Sequence, residues 1–580
     1  MTTSRSHAYE FGDFRVDGER RLLRRRDGTV VPLSPKVFET LLCLLQNREG
    51  VLTKETLMAS IWPDSIVEEN NLTQNISALR RIFGETPGTH RYIVTAPGHG
   101  YRFVAAVKSA PASEVTSAPG AGVKTLAVLP FKPLLIEDRD AALEMGIADT
   151  LITRLGKIKE VTVRPLSSVR RFGGLEQDPI AAGRALVVQS VLDGTIRRSN
   201  DRIRVTARLL NVADGASLWT GSFDEKFTDV FGVEDAISGR VAHALALHLS
   251  PEEEQRVRKR YTANSAAYQL YLAGRYHWSR ITLPEIRKSI EFFRAAIDLD
   301  PGYALAYAGL AESYRALPIT SDVPSNEAMP QAKEAAAKAI EIDDSLAEPH
   351  ASLTFVRFWY DWDWTGAERE GRRAIELNDN SAFAHLAYSH LLSDLGRHEE
   401  AIAEGERARE LEPVSLIINA LNGALRYYAG RLEEGAILLR ATLDLEPEFW
   451  VARLFLGKIQ SEQKRYGEAL KEFERARKSS RENSETIAMI GYVQALAGET
   501  VKARATLAEL KALARQRYIP PVNMAVIHLG LGERDKAFAW LEKAFQDRDV
   551  RLSFMKVDPK WDPWRTDRRF AAVLQRLGFA

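Results

Sequence analysis

The sequence has little cysteine, no long apolar run and almost no net charge. Among its 580 residues the one cysteine, Cys43, excludes a disulfide framework and a cysteine-based metal site. Cys43 lies in the apolar run 41–45, where we expect a small buried core residue rather than a reactive thiol. No run approaches the roughly 18 apolar residues that span a bilayer, and the N-terminus has no apolar signal core. We therefore expect a cytoplasmic protein with no membrane partner.

The charge balance of the whole chain does not indicate a partner. The 79 Lys and Arg oppose 78 Asp and Glu, which gives a formal net charge of +1. Counted by segment, residues 1–108 hold 15 Lys and Arg against 12 Asp and Glu. This excess is weaker than DNA-binding domains usually carry, so DNA binding has to be argued from motifs.

Motifs of catalysis are also missing. The 11 histidines show no His-Glu-x-x-His pattern, and no serine stands in a Gly-x-Ser-x-Gly setting. Residues 120–125 are Gly-rich, but they lack the Gly-Lys-Ser/Thr core of a phosphate loop and precede a strand. Asp193 and Asp224 have no partner at a catalytic spacing. We predict that the chain is not an enzyme and binds no cofactor and no metal.

The stretch 68–104 is the most informative part of the sequence. Leu72, Ile76, Leu79 and Phe83 recur at steps of 4, 3 and 4, which places them on one buried stripe of a helix. The opposite face is rich in amides, hydroxyls and guanidiniums, which suit base edges and phosphates. An ordinary amphipathic helix with a solvated polar face is the alternative.

The residues after this helix favour a nucleic-acid site. Two β-rich runs within residues 91–104 flank a Pro-Gly-His-Gly tip at 97–100, which predicts a hairpin. With this hairpin, residues 8–106 resemble the OmpR/PhoB-type winged-helix DNA-binding domain, whose wing ends in the same Gly-x-Gly-Tyr-Arg-Phe pattern. The resemblance implies double-stranded DNA as the partner, with the helix in the major groove and the wing at the minor groove. The predicted DNA-binding residues are Asn70, Asn71, Thr73, Gln74, Ser77, Arg80, Arg81, His99, Tyr101 and Arg102.

The remainder of this region fits the same family. Short alternating runs with Asp-Gly turns at 17–18 and 27–28 predict an N-terminal antiparallel sheet. A first helix is expected from Ser34-Pro35 to near Gly50, and Thr53 can cap a second helix. In the family, the loop corresponding to 63–67 can touch RNA polymerase, so the resemblance implies polymerase as a further partner. Pro97 and His99 depart from the basic residues that are common in the wing.

Two further regions follow a linker. A βαβαβββα pattern over 124–250 resembles the TolB-like N-terminal α/β domain, with Leu192 to Arg197 and Leu218-Trp219 at its characteristic positions. From Ala263, small residues recur every 34 positions; the first ladder is Ala367, Ala401, Gly435, Ala469, Ala503 and Ala537. Leu456-Gly457 with Ala469, Phe473 and Ala476 resembles the tetratricopeptide (TPR) pattern. Such helix pairs form a solenoid with a groove that binds peptides or partner helices, although a purely structural spacer is an alternative.

We therefore predict a multidomain fold: a winged helix-turn-helix (α+β), an α/β TolB-like domain and an all-α TPR solenoid. The expected boundaries are 1–108 for the winged helix, 109–123 for the linker, 124–250 for the TolB-like domain, and 263–580 for about eight helix pairs with a C-terminal cap. We expect no receiver domain and no activation by phosphorylation on this chain, because no segment given before the winged helix has room for such a domain.

The predicted function is that of a one-component transcriptional regulator that binds promoter DNA. Our hypothesis is that a protein or effector bound to the TPR or TolB-like region alters dimerisation on DNA or the exposure of the winged helix. The alternative is a TPR scaffold protein whose winged helix serves protein interaction, which the weak basicity and Pro97 favour slightly.

Overall fold

The structure is a computed structural model that describes residues 7–17, 22–25, 30–31, 33, 35–48, 50–61, 69–85, 91–96, 99–111, 124–134, 139–158, 160–199, 202–226, 230–245, 259–278, 280, 282–480 and 483–579. The chain divides into two compact units, unit 1 (residues 1–120) and unit 2 (residues 121–580).

Unit 1 begins with an antiparallel sheet, as the alternating runs predict. Its first four strands are β1 (His7–Phe11), β2 (Phe14–Asp17), β3 (Leu22–Arg25) and β4 (Val30–Val31), and each pairs with the next. β1 and β2 are separated by a tight turn at Gly12-Asp13, where Gly12 has φ +52°. The predicted Asp-Gly turns at 17–18 and 27–28 fall wholly or partly outside the described residues.

A fifth strand, β8 (Lys108–Pro111), lies partly in the region predicted to be a linker. This strand pairs antiparallel with β1 and completes the sheet order β4-β3-β2-β1-β8. The prediction of a linker over 109–123 is therefore wrong for residues 109–111. A short Lys-Ser-Ala-Pro segment carries no strand signal of its own, and it is ordered here by backbone pairing with the open edge of β1. Residues 112–123 lie outside the described part.

Three helices and a second sheet complete unit 1. They are α1 (Pro35–Gln46), β5 (Leu52–Thr53), α2 (Lys54–Ile61), α3 (Glu69–Ile82), β6 (Ile93–Ala96) and β7 (Gly100–Phe103), with the strands in the order β5-β7-β6. The predicted cap of α2 is confirmed, because Thr53 Oγ1 accepts a hydrogen bond of 3.1 Å from the Thr56 backbone N–H. The predicted polymerase loop 63–67 lies outside the described residues.

Unit 2 opens with an α/β region whose longer elements follow the predicted order. Its elements are β9 (Lys124–Val128), β10 (Lys132–Pro133), α4 (Ala141–Leu155), β11 (Val161–Val163), α5 (Leu166–Val169), α6 (Pro179–Ala185), β12 (Ser190–Ser199), β13 (Arg202–Asn211), β14 (Ser217–Lys226) and α7 (Val230–Ala244). The sheet order is β11-β9-β12-β13-β14, parallel across β11, β9 and β12 and antiparallel from β12 to β14. α4 and α7 pack beside each other on this sheet.

Helix pairs make up the rest of unit 2, which confirms the mostly helical C-terminal region predicted from the 34-residue spacing. The described residues from 265 to 546 form eight pairs: α8 (Ser265–Trp278) with α9 (Leu283–Leu299), α10 (Ala304–Thr320) with α11 (Ser325–Ile342), α12 (Ala347–Val356) with α13 (Trp364–Leu377), α14 (Ala382–Asp394) with α15 (His398–Leu411), α16 (Leu416–Tyr428) with α17 (Leu432–Leu445), α18 (Trp450–Glu462) with α19 (Tyr466–Ser480), α20 (Glu485–Leu496) with α21 (Thr500–Leu513), and α22 (Pro521–Gly530) with α23 (Arg534–Gln546).

The repeated small residues lie where the helices approach most closely. Ala469 and Ala476 of α19 are fully buried. Gly457 of α18 faces the Phe473 ring, and a Cβ added at Gly457 would lie 2.6 Å from it. The 34-residue ladder therefore marks the packing face of the second helix in each pair, as in TPR pairs.

The C-terminal residues are not only a cap over the last pair. Two 3₁₀ helices, Val550–Lys556 and Pro559–Trp564, precede α24 (Arg568–Arg576). Trp561, Trp564 and Phe570 pack with the last pairs, as predicted for a cap. Arg551, however, reaches the end of α10, where it donates to Pro318 O at 3.3 Å. Residues 549–564, hereafter the C-terminal segment, thus connect distant parts of the solenoid.

Candidate nucleic-acid interface

Helix α3 has one buried and one exposed face, as its periodicity predicts. Leu72, Ile76 and Leu79 are at most 1% exposed. On the opposite side lie exposed side chains that were predicted to bind DNA: Asn71, Thr73, Gln74, Ser77 and Arg81. Asn70 belongs to α3, but its side chain lies outside the described part.

Asn75 fixes α3 against α1, a role that the sequence analysis did not assign. Its Nδ2 donates to Lys36 O at 3.2 Å and to Thr40 Oγ1 at 3.0 Å. These bonds join α3 to α1 in addition to the buried stripe, which fixes the outward face of α3. In the sequence, the one signal of this role is that Asn75 stands beside Ile76, at the edge of the apolar stripe.

The wing is a hairpin of β6 and β7, with register Thr95↔Tyr101 and Val94↔Arg102. His99 and Arg102, both predicted to bind DNA, are exposed on it. Gly100 comes so close to β5 that a Cβ added there would lie 1.9 Å from Leu52 O. Glycine is therefore required for β7 to pair with β5 and for the hairpin to hold its position.

Arg80 has a structural position that its prediction as a DNA contact did not anticipate. Its Nη2 donates to Ile93 O at 3.0 Å and to Thr95 Oγ1 at 2.8 Å. Its Nε lies 3.6 Å from Glu85 Oε2, and the other oxygen of Glu85 accepts from the backbone N–H groups of Tyr92 and Ile93. Arg80 and Glu85 thus join the end of α3 to the first strand of the wing.

Tyr101 was predicted to bind DNA, but the structure places it in the core. It is 6% exposed and belongs to the cluster that contains Tyr92 and Phe103. Tyr101 and Phe103 alternate with exposed Arg102 on β7, so the strand points these two aromatic side chains inward. We therefore withdraw Tyr101 from the predicted contacts.

The two acids considered for catalysis are held in ion pairs within the α/β region. Asp193 Oδ2 accepts from Arg208 at 2.8 Å, and its Oδ1 lies 4.0 Å from Lys132 Nζ. Asp224 accepts from Arg202 at 2.8 Å and from Arg204, and these guanidiniums lower the pKa of its carboxyl. Both acids therefore have structural partners.

The solenoid offers a second candidate surface, formed by the first helix of each pair. We call it the first-helix face. Counted along the chain, the C-terminal segment contacts this face in pairs 2 to 5 and in pair 7, through Pro318 and Asp322 at the end of α10, Trp359 after α12, Leu395 after α14, Tyr427 and Tyr428 of α16, and Glu485 of α20. The predicted groove is therefore occupied here by the chain's own residues.

Buried charges hold the C-terminal segment on this face. Asp322 is fully buried; its Oδ2 accepts from the Ser484 backbone N–H at 2.8 Å and from Arg517 at 3.1 Å. Burial raises the pKa of Asp322 to about 6, against the opposing effect of Arg551 and Arg517. Burial would lower the pKa of Arg551, but the carboxylates around it outweigh this effect and raise that pKa. Arg551 therefore stays charged inside the solenoid.

Within the described part of the chain, no helix is both long and apolar enough to cross a bilayer. The same residues contain no group of three or more His, Cys, Asp or Glu placed to hold a metal ion.

Comparison with known families supports the geometry of unit 1. Residues 28–103 match the family described as "Transcriptional regulatory protein, C terminal". The chain therefore carries an OmpR/PhoB-type DNA-binding domain near its N-terminus. The KDP operon transcriptional regulatory protein KdpE of Escherichia coli K12 is 32% identical over 104 residues, which cover 18% of this chain and 46% of KdpE.

Two other relatives match longer stretches. The transcriptional regulator HilA of Salmonella typhimurium is 25% identical over 426 residues, covering 72% of this chain and 73% of HilA. A protein of Rhizobium meliloti named as an adenylate cyclase is 29% identical over 240 residues, covering 40% of each chain. The matches thus span less than half of the cyclase-named protein and of KdpE.

Two solved structures are among the matches. A structure of Pseudomonas aeruginosa pilF is 20% identical with a TM-score of 0.30, covering 40% of this chain and 96% of that one. The DNA-binding domain of E. coli CadC is 25% identical with a TM-score of 0.16, covering 18% of this chain and 98% of that one.

Proposed function

We propose that the chain is a cytoplasmic one-component transcriptional regulator that reads promoter DNA with α3 in the major groove and the wing at the minor groove. The observation that carries this proposal is the exposed polar face of α3, fixed opposite a fully buried stripe and joined to the wing through Arg80. Amides such as Gln74 suit adenine edges, and Arg81 suits guanine or phosphate. The proposed contacts are Asn70, Asn71, Thr73, Gln74, Ser77, Arg81, His99 and Arg102, with Arg80 as a positioning residue.

The relatives support a regulator more than an enzyme. HilA and KdpE are named as transcriptional regulators, whereas one relative is named as an adenylate cyclase. We propose that the chain is not an enzyme, because Asp193 and Asp224 form ion pairs with arginines on neighbouring strands of the sheet. The α/β region is proposed to be TolB-like on its element order. RNA polymerase and a second copy of the chain are proposed as further partners at the promoter.

Control is proposed to act through the solenoid. A protein partner bound by the first-helix face would alter dimerisation on DNA or the exposure of unit 1. This part of the proposal rests on five helix pairs that contact one bound segment at this face, through side chains and carbonyl groups.

The test is a mobility-shift titration of the full chain on the DNA upstream of its own gene, at two salt concentrations and with competitor DNA. We expect saturable binding that resists competitor and weakens with salt. Gln74→Ala should cost about 1–3 kcal/mol of binding free energy if Gln74 contacts a base. Arg15→Ala is the matched control, since Arg15 lies exposed on β2 of the other sheet. Binding that any competitor abolishes equally would favour the scaffold alternative.

A further inference from the structure

The C-terminal segment sits on the first-helix face as a ligand would. Its 3₁₀ helices are formed by i→i+3 hydrogen bonds such as the one from Leu552 N to Asp549 O. Such bonds have poor geometry and stabilise the segment only weakly. Its order therefore depends on side-chain contacts to the face. Val550, Leu552 and Met555 are fully buried in those contacts.

One guanidinium is the centre of recognition. Arg551 donates to Pro318 O, and its Nη2 and Nε lie 3.9 Å and 3.5 Å from the carboxylates of Asp322 and Glu485. Asp322 comes from pair 2 and Glu485 from pair 7, so the two ends of the face converge on this one cation. Asp549, two residues before Arg551, adds a third carboxylate from within the segment at 3.5 Å.

An aromatic site lies beside the charged one. Phe554 stacks on Tyr428, with ring centroids 5.7 Å apart and planes at 10°, and it meets Trp359 edge-on at 6.5 Å. Further along, Asp558 accepts a hydrogen bond of 2.9 Å from the Tyr427 hydroxyl. The face thus recognises an arginine, an aromatic ring three residues later, and a carboxylate four residues beyond that.

The carboxylates beside Arg551 also affect release of the C-terminal segment. Asp322 and Glu485 each have a second cation outside the segment: Arg517 lies 3.1 Å from Asp322, and Lys458 donates to Glu485 at 2.6 Å. Release of the segment therefore leaves neither carboxylate without a cation, although it removes the contacts of both with Arg551. A replacement peptide needs a cation at the same point to restore those contacts.

We propose that the first-helix face is a peptide-binding site that exchanges the C-terminal segment for a segment of a partner protein with the same chemistry: an acidic residue, an arginine two positions later, an aromatic residue three positions after the arginine and a second acidic residue four positions after the aromatic one. This inference rests on the proposed function, because it names the class of partner through which the solenoid would exert control. Peptide exchange and DNA binding are measured separately, so the failure of one is distinguishable from the failure of the other.

The test uses the full chain with a specific protease site inserted between Gln546 and Asp547. After cleavage, a fluorescent peptide of residues 547–580 is added, and its incorporation is followed by anisotropy and native gel filtration. We expect the labelled peptide to replace the cleaved fragment. The Arg551→Glu peptide should incorporate at least tenfold more weakly. The Arg565→Glu peptide is the control and should incorporate like the native one, because Arg565 is exposed and bonds Asp562 within the segment.

Equal incorporation of the Arg551→Glu peptide would overturn the proposal, as would a cleaved fragment that no native peptide replaces. A second measurement uses the uncut native chain, which carries no inserted protease site. In hydrogen exchange, we expect the amides of residues 550–564 to open together and faster than those of α18 and α20. Identical protection of the segment and these helices would mean a fixed core element and would also overturn the proposal.

Discussion

Arg80 Nη2 lies 2.8 Å from Thr95 Oγ1, and this contact joins the helix proposed to read DNA to the wing. The same guanidinium donates to Ile93 O. Its neighbour in sequence, Arg81, is exposed and lies about 100° further around α3. Two adjacent arginines therefore have different roles: one sets the angle between helix and wing, and the other is available to DNA.

Substitution of each arginine by alanine should separate these roles. Arg80→Ala removes two hydrogen bonds from a charged donor and leaves Glu85 without its ion-pair partner. We expect a loss of about 1–3 kcal/mol of folding free energy, because the net value of such bonds is of this order. Hydrogen exchange in β6 measures it, and the amides of Ile93 and Thr95 should exchange faster.

Arg81→Ala is the matched control for stability. It should leave exchange in β6 unchanged and weaken DNA binding by about 1–3 kcal/mol if Arg81 contacts a base. Wild-type protection of β6 in Arg80→Ala would contradict the structural role assigned to Arg80.

Gly100→Ala should disrupt the wing. The added Cβ would lie 1.9 Å from Leu52 O, so β5 and β7 must separate. We expect a cost of about 3 kcal/mol, at the upper end of overpacking effects, together with weaker DNA binding. Gly84→Ala is the control: Gly84 has φ +72° but open space around it, so only the backbone cost of roughly 1 kcal/mol applies. Hydrogen exchange of the β5 amides measures the effect. Equal exchange rates in both variants would exclude the clash with Leu52 O as the cause of the destabilisation.

Much of unit 1 could be predicted because its signals are local. The stripe of Leu72, Ile76 and Leu79 follows from helical periodicity, and the wing follows from two β-rich runs around a Gly-rich tip. Tyr101 was misassigned because the resemblance, not strand alternation, guided the choice. In the sequence, the charged Arg102 stands between Tyr101 and Phe103, and strand alternation then points both aromatic side chains to the other face.

The position of the C-terminal segment could not be predicted from the sequence. Its contacts, such as Arg551 with Asp322, join residues far apart in the chain, and no periodicity connects them. The linker prediction was wrong at 109–111 for a related reason. That strand exists through backbone pairing with β1, which depends little on side-chain type.

Arg102 is expected to contribute to the salt dependence of DNA binding. If it meets a phosphate at the minor groove, each such contact contributes about 0.9 to the slope of log affinity against log salt concentration. Arg102→Ala should then weaken binding similarly on all sequences and reduce the slope by about that amount. Titrations of both proteins at four salt concentrations measure the slope. An unchanged slope with reduced affinity would place Arg102 at a base instead.

Glu234 should make the stability of unit 2 depend on pH. It is fully buried near Arg154, and burial raises its pKa from 4.5 to about 7. Between these pH values the folded state holds a proton that the unfolded state has released. The contribution of Glu234 to the free energy of unfolding is therefore fully present below pH 4.5 and is lost as pH rises through about 7. The loss amounts to roughly 3 kcal/mol.

Glu234→Gln should therefore reduce the fall in thermal stability between pH 5 and pH 8, because the amide does not titrate. The variant retains an acceptor for the Tyr268 hydroxyl, which bonds Glu234 in the native chain. Thermal unfolding of both proteins at intervals across this range gives the comparison. Parallel pH profiles would show that Glu234 does not carry the dependence.

Arg164 should couple the α/β region to the solenoid. Its Nε and Nη2 donate to Leu186 O at 3.0 Å and Val187 O at 2.8 Å, and its Nη1 donates to Leu411 O at the end of α15. Burial lowers the pKa of Arg164 to about 10, with an opposing effect from Glu412, so the side chain stays charged at neutral pH.

Arg164→Met keeps the apolar length but leaves three carbonyl groups without this donor. Each buried group left unpaired costs about 1–3 kcal/mol, which is enough to separate the two parts on heating. We expect unit 2 to unfold in one calorimetric transition in the native chain and in two in the variant, whereas Arg184→Met, on the exposed side of α6, should keep one transition. One unshifted transition in Arg164→Met would mean that the apolar contacts of α4 with α8, and not this arginine, carry the coupling.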